Sequence, residues 1–168
     1  MALVRTALSA PAVTSFNSLA NSLTAVASSA AITVGTSTNV ADHSVVVTIN
    51  GPATMTGSAT TAVYLYLYTS EDGGTTWTGS GTTNELIDGT DKAITLSANG
   101  NQGIPIGTIA LTTTSAGTSI VYKSKRISIA AALGGTMPSK YVIVPQNQAG
   151  AALAASGHSI LVTELSYS

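Results

Sequence analysis

The sequence predicts an all-β protein, an antiparallel β-sandwich of the jelly-roll type with an N-terminal arm. The first observation is a series of about eight or nine short runs rich in β-branched and aromatic residues. The second is that Gly, Pro, Asn and Asp separate these runs as turn signals. The third is that no long stretch keeps a helical period. A chain of 168 residues suits one such domain.

The N-terminal residues 1–29 differ from the rest in being rich in Ala, Ser and Thr. Their larger apolar residues fall near helical spacing: Phe16, Leu19, Leu23 and Val26. Ser15 is a suitable cap for a short helix, whereas the many polar residues favour an extended arm or loop. Both interpretations stay open for residues 1–29, and residues 30–168 are expected to form the sandwich.

The first strands of the sandwich are predicted where apolar runs meet turn residues. Residues 30–34 form a short run that ends at Gly35, and residues 45–49 form a Val-rich run. The second run is closed by Asn-Gly-Pro at residues 50–52, a turn signature.

A row of tyrosines marks the next strand, residues 62–69. Val63, Leu65 and Leu67 lie on one face, and Tyr64, Tyr66 and Tyr68 lie on the other because side chains alternate along a strand. The tyrosine face is either half-buried with its hydroxyls in water or covered by a partner, since tyrosine suits both situations.

The later strands are shorter or less regular. We predict them at residues 94–96, 104–111, 119–129, 141–144 and 160–167, with turns at residues 99–100 and 134–138. Pro105 and Gly107 indicate an edge strand or a bulge, and Pro145 is expected to end the strand before it.

The run at residues 119–129 also holds the chain's main basic cluster, Lys123, Lys125 and Arg126. Three charges are too few for a nucleic-acid surface. Two interpretations remain: an edge strand protected from aggregation by lysine, or a contact to an acidic neighbouring subunit.

The turn after the tyrosine strand, residues 70–77, resembles the Asp-box, a β-hairpin motif of sialidase propellers. Its residues are Ser70, Asp72, Gly74, Thr76 and Trp77. Ser and Asp side chains can bond backbone N–H groups across a turn, Gly permits positive φ, and the indole can seal the hairpin. The resemblance implies a structural role for this hairpin. A calcium site here is a less favoured alternative, because Glu71 and Asp72 offer oxygen ligands.

The composition argues against an enzyme and against a cofactor. There is no cysteine and there are two histidines, His43 and His158, at no metal-binding spacing. The carboxylates Glu85, Asp88 and Asp91 share a loop and are expected to be solvated. Charged residues make up 8% of the chain and the net charge is −1, which gives no reason to expect nucleic acid or an acidic membrane as partner. No apolar run is long enough to span a bilayer, and the first residues lack the apolar core of a secretory signal.

The overall pattern resembles a group of tailed-bacteriophage structural proteins. Four segments carry the resemblance: residues 15–21, the hairpin region 63–74, residues 137–144 and residues 147–157. The resemblance implies a jelly-roll protein that attaches to a capsid lattice and catalyses nothing. The expected function is therefore a head cement or decoration protein of the virion, with the major capsid protein and copies of itself as partners.

Two further expectations accompany this interpretation. The candidate contact residues are Phe16 in the arm, the tyrosines Tyr64, Tyr66 and Tyr68, and the lysines Lys123 and Lys125. The alternative function is a tail-associated module that binds carbohydrate or a receptor, with an exposed Trp77 and the tyrosine row stacking on sugars. A homo-oligomer is expected in either case, through the tyrosine face or an edge strand.

Overall fold

The structure, a computed structural model, describes residues 2–35, 39–52, 61–79, 87–96, 103–111 and 120–168. The elements of this part of the chain are, in order, β1 (Leu3–Ala7), a 3-10 helix (Thr14–Phe16), β2 (Ala25–Ser28), β3 (Ile32–Thr33), β4 (Val40–Asn50), β5 (Ala62–Ser70), β6 (Lys92–Thr95), β7 (Ile104–Ala110), β8 (Val121–Lys123), β9 (Ile127–Ser128), α1 (Ile129–Ala132), β10 (Lys140–Gln148) and β11 (Ser159–Tyr167). Glu85 and the predicted turn at residues 99–100 lie outside the described residues.

The strands form two antiparallel sheets, which confirms the predicted all-β sandwich. The first sheet has the order β1-β11-β4-β8, with β9 also pairing with β4. The second has the order β6-β2-β10-β5-β7, with β3 also pairing with β10. Neighbours within a sheet are mostly distant in sequence, since β1 lies beside β11 and β2 lies beside β10. The jelly-roll topology itself stays a prediction.

The main core lies between the sheets and follows from the alternation of the strands. Val45, Val47 and Ile49 of β4 point inward and are fully buried against Leu65 and Leu67 of β5. A second apolar cluster covers the outer side of the second sheet. It includes Val26, Tyr68, Trp77, Ile87, Ile94, Leu96, Val142 and Val144. The second sheet is therefore apolar on both faces.

The N-terminal residues are part of the sandwich, so the expectation of an arm was wrong. β1 pairs with β11 along its whole length, from Leu3 opposite Tyr167 to Ala7 opposite Thr163. The helical interpretation holds only for the three residues Thr14–Phe16. β1 itself has the sequence Leu-Val-Arg-Thr-Ala, and the partner strand β11 supplies its backbone pairing.

Pro145 lies within β10 and does not end its strand, contrary to expectation. The Ile143 N–H points to the β2–β3 side, where it donates to Ser29 Oγ at 3.1 Å. Alternate residues point the same way, so the Pro145 nitrogen faces that side too. There β3 pairs only with residues 140–141 and β2 only with Gln146. Pro145 therefore lies where the pairing of β10 with β2 and β3 is interrupted, which is the kind of position at which a strand tolerates proline.

The predicted strand 119–129 is interrupted and forms β8 and β9. Lys123 pairs with Thr48 and Ile127 pairs with Val45, so two residues of β4 face three residues of this segment. Residues 124–126 therefore form a β-bulge, with one residue more than the part of β4 that they face. Ser124 stays tied to the sheet, because its hydroxyl accepts from the Val47 N–H at 3.0 Å.

Candidate functional site

The Asp-box-like hairpin, residues 70–77, is organised around the Asp72 carboxylate. Its oxygens accept hydrogen bonds from the Ser70 hydroxyl at 2.8 Å and from the backbone N–H groups of Thr75 and Thr76 at 3.0 and 2.9 Å. The Thr76 hydroxyl adds a bond of 2.7 Å. Gly74 donates its N–H to Ser70 Oγ at 2.8 Å and has φ of 102°. Each side chain that the sequence assigned to this turn thus has the predicted structural task.

These bonds also fix the charge of the hairpin. Hydrogen bonds from the Thr76 N–H, the Thr76 hydroxyl and the Ser70 hydroxyl stabilise the carboxylate and lower the pKa of Asp72 below its usual range. Asp72 is exposed and remains ionised, but its oxygens are directed at the turn itself.

Trp77 closes the hairpin and is not a surface platform. Its indole N–H donates to the Gly74 carbonyl at 3.1 Å, and the side chain is only 9% exposed. It packs against Tyr68 and Ile87 in the outer cluster of the second sheet. Trp77 thus seals the hairpin as predicted, and the exposed Trp77 of the carbohydrate-binding alternative was wrong, because Ile87 and Gly89 pack against the indole.

Only one residue of the tyrosine row, Tyr68, is buried as Trp77 is. Tyr68 is 1% exposed within the outer cluster, which removes it as a contact residue. Tyr64 and Tyr66 are half-buried, and the Tyr66 hydroxyl donates to Gln146 Oε1 at 3.3 Å. The described residues thus leave two partly accessible rings rather than a continuous aromatic face.

Phe16 is a core residue and cannot contact a partner. It is fully buried between the sheets, 6.4 Å from the His158 ring in an edge-to-face arrangement. The Asp91 carboxylate holds the turn that carries it, accepting from the Thr14 and Ser15 N–H groups at 2.6 and 2.9 Å. Burial raises the pKa of Asp91, but the hydrogen bonds from Ser15 and Thr14 outweigh burial and lower it. This loop carboxylate is a structural cap.

Asp88 likewise has a local partner. Its carboxylate contacts Lys92 Nζ at 2.7 Å and accepts from the Thr90 hydroxyl at 2.6 Å. Burial raises the pKa of Asp88, but the bonds from Lys92 and Thr90 dominate and lower the pKa to about 2. Asp88 is exposed, as expected of a solvated loop, whereas Asp91 is partly buried and departs from that expectation.

Lys123 and Lys125 are exposed, as expected of contact residues. Lys123 lies in β8, at the edge of the first sheet, which confirms the predicted edge position. Lys125 and Arg126 lie in the bulge and form no ion pair within the described residues. Ile127, two residues after Lys125, is buried, whereas Lys125 is exposed.

A buried polar cluster links the two sheets and was not predicted from the sequence. His43 of β4 is fully buried, with Nδ1 3.0 Å from the Tyr141 hydroxyl of β10 and Nε2 3.6 Å from Glu164 Oε2 of β11. Burial lowers the pKa of His43 despite the opposing charges of Glu164 and Asp42, and burial raises the pKa of Tyr141. The neighbouring sequence, with Asp42 before it, predicts His43 as part of a loop pair with Asp42, and this prediction was wrong, because His43 lies within β4.

The other histidine also has a structural task. His158 Nδ1 accepts the Asn50 N–H at 3.2 Å, and Nε2 lies 2.9 Å from the Ala154 carbonyl. These two contacts select the neutral imidazole, and burial lowers its pKa. Neither histidine offers a solvent-accessible base.

Among the described residues, no three His, Cys, Asp or Glu side chains form a group that could hold a metal ion. Within the same residues, no helix has the length and apolar character needed to cross a membrane.

Four of the six exposed large apolar residues in the described part of the chain lie on the outer face of the first sheet. Val162 points into the core, so Leu161 and Tyr167 point outward, and Leu3 shares the face of its partner Tyr167. Val121 is on this face as well, because it pairs with Asn50, and Asn50 follows the inward-facing Ile49. The four are about half exposed: Leu3 52%, Val121 57%, Leu161 55% and Tyr167 48%. We call these residues the outer apolar band.

Comparison with known proteins gives no relative from which a function could be carried over: no family model, no curated protein and no solved structure matches the chain.

Proposed function

We propose that this protein is a non-enzymatic structural subunit of a bacteriophage particle, acting as a head cement or decoration protein that stabilises the capsid lattice. Its partners are the major capsid protein and further copies of itself. Its place is the capsid surface, and a position on the tail is the alternative location.

The observation that carries the proposal is the outer apolar band. It runs diagonally over the first sheet, from Leu3 and Tyr167 at one end through Leu161 to Val121 at the other. Four large apolar side chains share this face with the exposed cations Arg5 and Lys123. Exposed apolar side chains grouped on one face, with polar groups beside them, are a feature of surfaces that bind other proteins. A flat sheet face of this kind suits docking on a regular protein lattice.

The strand order also supports the proposal. The orders β1-β11-β4-β8 and β6-β2-β10-β5-β7 place early strands beside late strands in both sheets, β1 beside β11 and β2 beside β10, as a jelly roll does. Jelly rolls are common among viral capsid domains and among lectins. The lectin alternative loses its predicted stacking residue, because Trp77 is sealed into the hairpin.

The test is attachment of purified protein to particles that lack it, measured by co-sedimentation. Leu161→Glu places a charge in the middle of the band and should reduce attachment at least about tenfold, because a charge in an apolar contact must be desolvated. Leu23→Glu is the matched control, since Leu23 is 66% exposed but lies outside the first sheet. Equal attachment of both variants and the wild type would contradict docking through this face.

A further inference from the structure

A groove runs along one open side of the sandwich, between the last strand of each sheet. Its volume is about 470 Å³. One wall is β7, from Pro105 to Thr108, and the other is formed by residues 124–128 and 131–132. Ile127 and Gly107 approach each other across it, because a β-carbon at Gly107 would lie 3.6 Å from Ile127 Cδ1.

Both walls of the groove are bulged. On β7, Leu65 pairs with Gly107 and Tyr66 pairs with Pro105, so Ile106 is an extra residue in the ladder. This confirms the predicted edge or bulge at Pro105 and Gly107. The opposite wall carries the bulge at residues 124–126. Bulges bend edge strands and redirect their side chains, and they are frequent beside binding sites.

The charged side chains that line the groove are positive. Lys125 and Arg126 line it and are exposed, and none of its lining residues is acidic. The nearby carboxylate of Asp42 on β4 is used by the fold, because its Oδ1 accepts the Ala130 N–H at 2.8 Å. Hydroxyl groups of Thr108, Ser124 and Ser128 complete the polar lining.

We propose that this groove, between β7 and the Lys125–Arg126 bulge, binds an extended acidic segment of a neighbouring protein subunit. Carboxylates of the segment pair with Lys125 and Arg126, and its backbone runs along β7. The inference rests on the proposed function in taking a protein subunit as the partner, and it names a second contact beside the outer apolar band.

An extended polypeptide suits the groove better than nucleic acid. Within the described residues β7 pairs with β5 alone, so the backbone groups on its other edge are suited to strand addition. Two cations supply only a small part of the charge that a nucleic-acid site needs. Arg126 can bind a carboxylate through two parallel hydrogen bonds, which favours acidic side chains as the partner groups.

Titration of the full-length protein with a synthetic peptide tests the groove directly. The probe is an octapeptide of sequence Gly-Thr-Glu-Val-Glu-Val-Thr-Gly with blocked ends, and the comparison peptide has Gln in place of both Glu residues. Binding is followed by amide chemical shifts of the labelled protein at low salt. The expected result is saturable shifts at residues 104–108 and 124–128, and affinity about tenfold weaker for the Gln peptide.

Two protein variants separate charge from shape. Lys125→Ala with Arg126→Ala removes both cations and should weaken Glu-peptide binding about tenfold at an unchanged melting temperature. Gly107→Ala should weaken binding by narrowing the groove, since the added β-carbon lies in ordinary contact with Ile127 Cδ1 at 3.6 Å. Lys92→Ala with Lys140→Ala is the control, since it removes the same charge from residues that do not line the groove.

Several results would overturn the inference. They are absence of saturable shifts with the Glu peptide, equal binding of the Glu and Gln peptides, equal losses in the groove and control variants, or preferential binding of a thymidine dodecamer over the peptide.

Failure of the proposed function is distinguishable from these outcomes. A protein absent from the particle that still binds the peptide in the groove would overturn the virion role alone, whereas full particle attachment of the Lys125→Ala, Arg126→Ala variant would overturn the groove as a particle contact alone.

Discussion

Trp77 packs so closely on Gly89 that a β-carbon at residue 89 would lie 2.8 Å from Trp77 Cζ2. The contact joins the hairpin to the loop that follows it, and Ala31 lies against the same position at 3.1 Å. Gly89 also has φ of 81°, where side chains are strained. The indole can seal the hairpin only because residue 89 has no side chain.

Gly89→Ala is therefore expected to lower the free energy of unfolding by about 3 kcal/mol, from positive-φ strain and overpacking together. Chemical denaturation measures this. Gly134→Ala is the matched control, since Gly134 has φ of 74° but nothing within 4 Å of the added carbon. It should cost about 1 kcal/mol. Equal losses would show that the contact with Trp77 is not tight.

Asp72→Asn tests the organisation of the hairpin. The amide has one acceptor oxygen and cannot serve the donors from Ser70, Thr75 and Thr76 together, so the denaturation midpoint should fall. The pKa of Asp72 is lower in the folded state, so its stabilisation is present above the unfolded pKa and is lost as pH falls through the acid range. The variant should lose that part of the pH dependence. Glu71→Gln, a change at the exposed neighbour, should leave the denaturation midpoint at neutral pH unchanged, and a loss there similar to that of Asp72→Asn would contradict the prediction.

His43 is expected to make the fold sensitive to mild acid. Its pKa is lower in the folded than in the unfolded state, so the unfolded state binds more protons. Stability is therefore full above an unfolded pKa of about 6.5 and declines as pH falls below it. His43→Asn should be less stable at neutral pH but flatter between pH 7 and pH 5. An unchanged slope would show that the groups around it, Glu164, Asp42 and Tyr141, accommodate the charge.

Phe16→Ala should destabilise the whole domain by about 3–5 kcal/mol, since Phe16 fills the space between the sheets. Leu23→Ala, at an exposed position, should change stability by less than about 0.5 kcal/mol. For the same reason, deletion of residues 1–17 should impair folding rather than leave an intact core. A truncated protein with the wild-type melting temperature would restore the interpretation as an arm.

The elements that sequence predicted well are those whose signal is local. Alternation predicted β5, and apolar runs predicted β4 and β11. The spacing of Ser70, Asp72 and Gly74 predicted a hairpin whose bonds lie within a few residues. The buried His43 was missed because its partner Tyr141 is 98 residues away and nothing in the neighbouring sequence indicates burial. The outer apolar band was missed because it depends on register, which places Leu3 beside Tyr167.

The measurement that tests the central proposal most directly is the copy number of this chain in purified phage particles and in heads separated from tails, by quantitative mass spectrometry. A head cement or decoration role predicts a number comparable to that of the major capsid protein, retained in tail-free heads. A few copies lost with the tails would contradict the head position and favour a tail-associated subunit. Absence from the particle would contradict the structural role altogether.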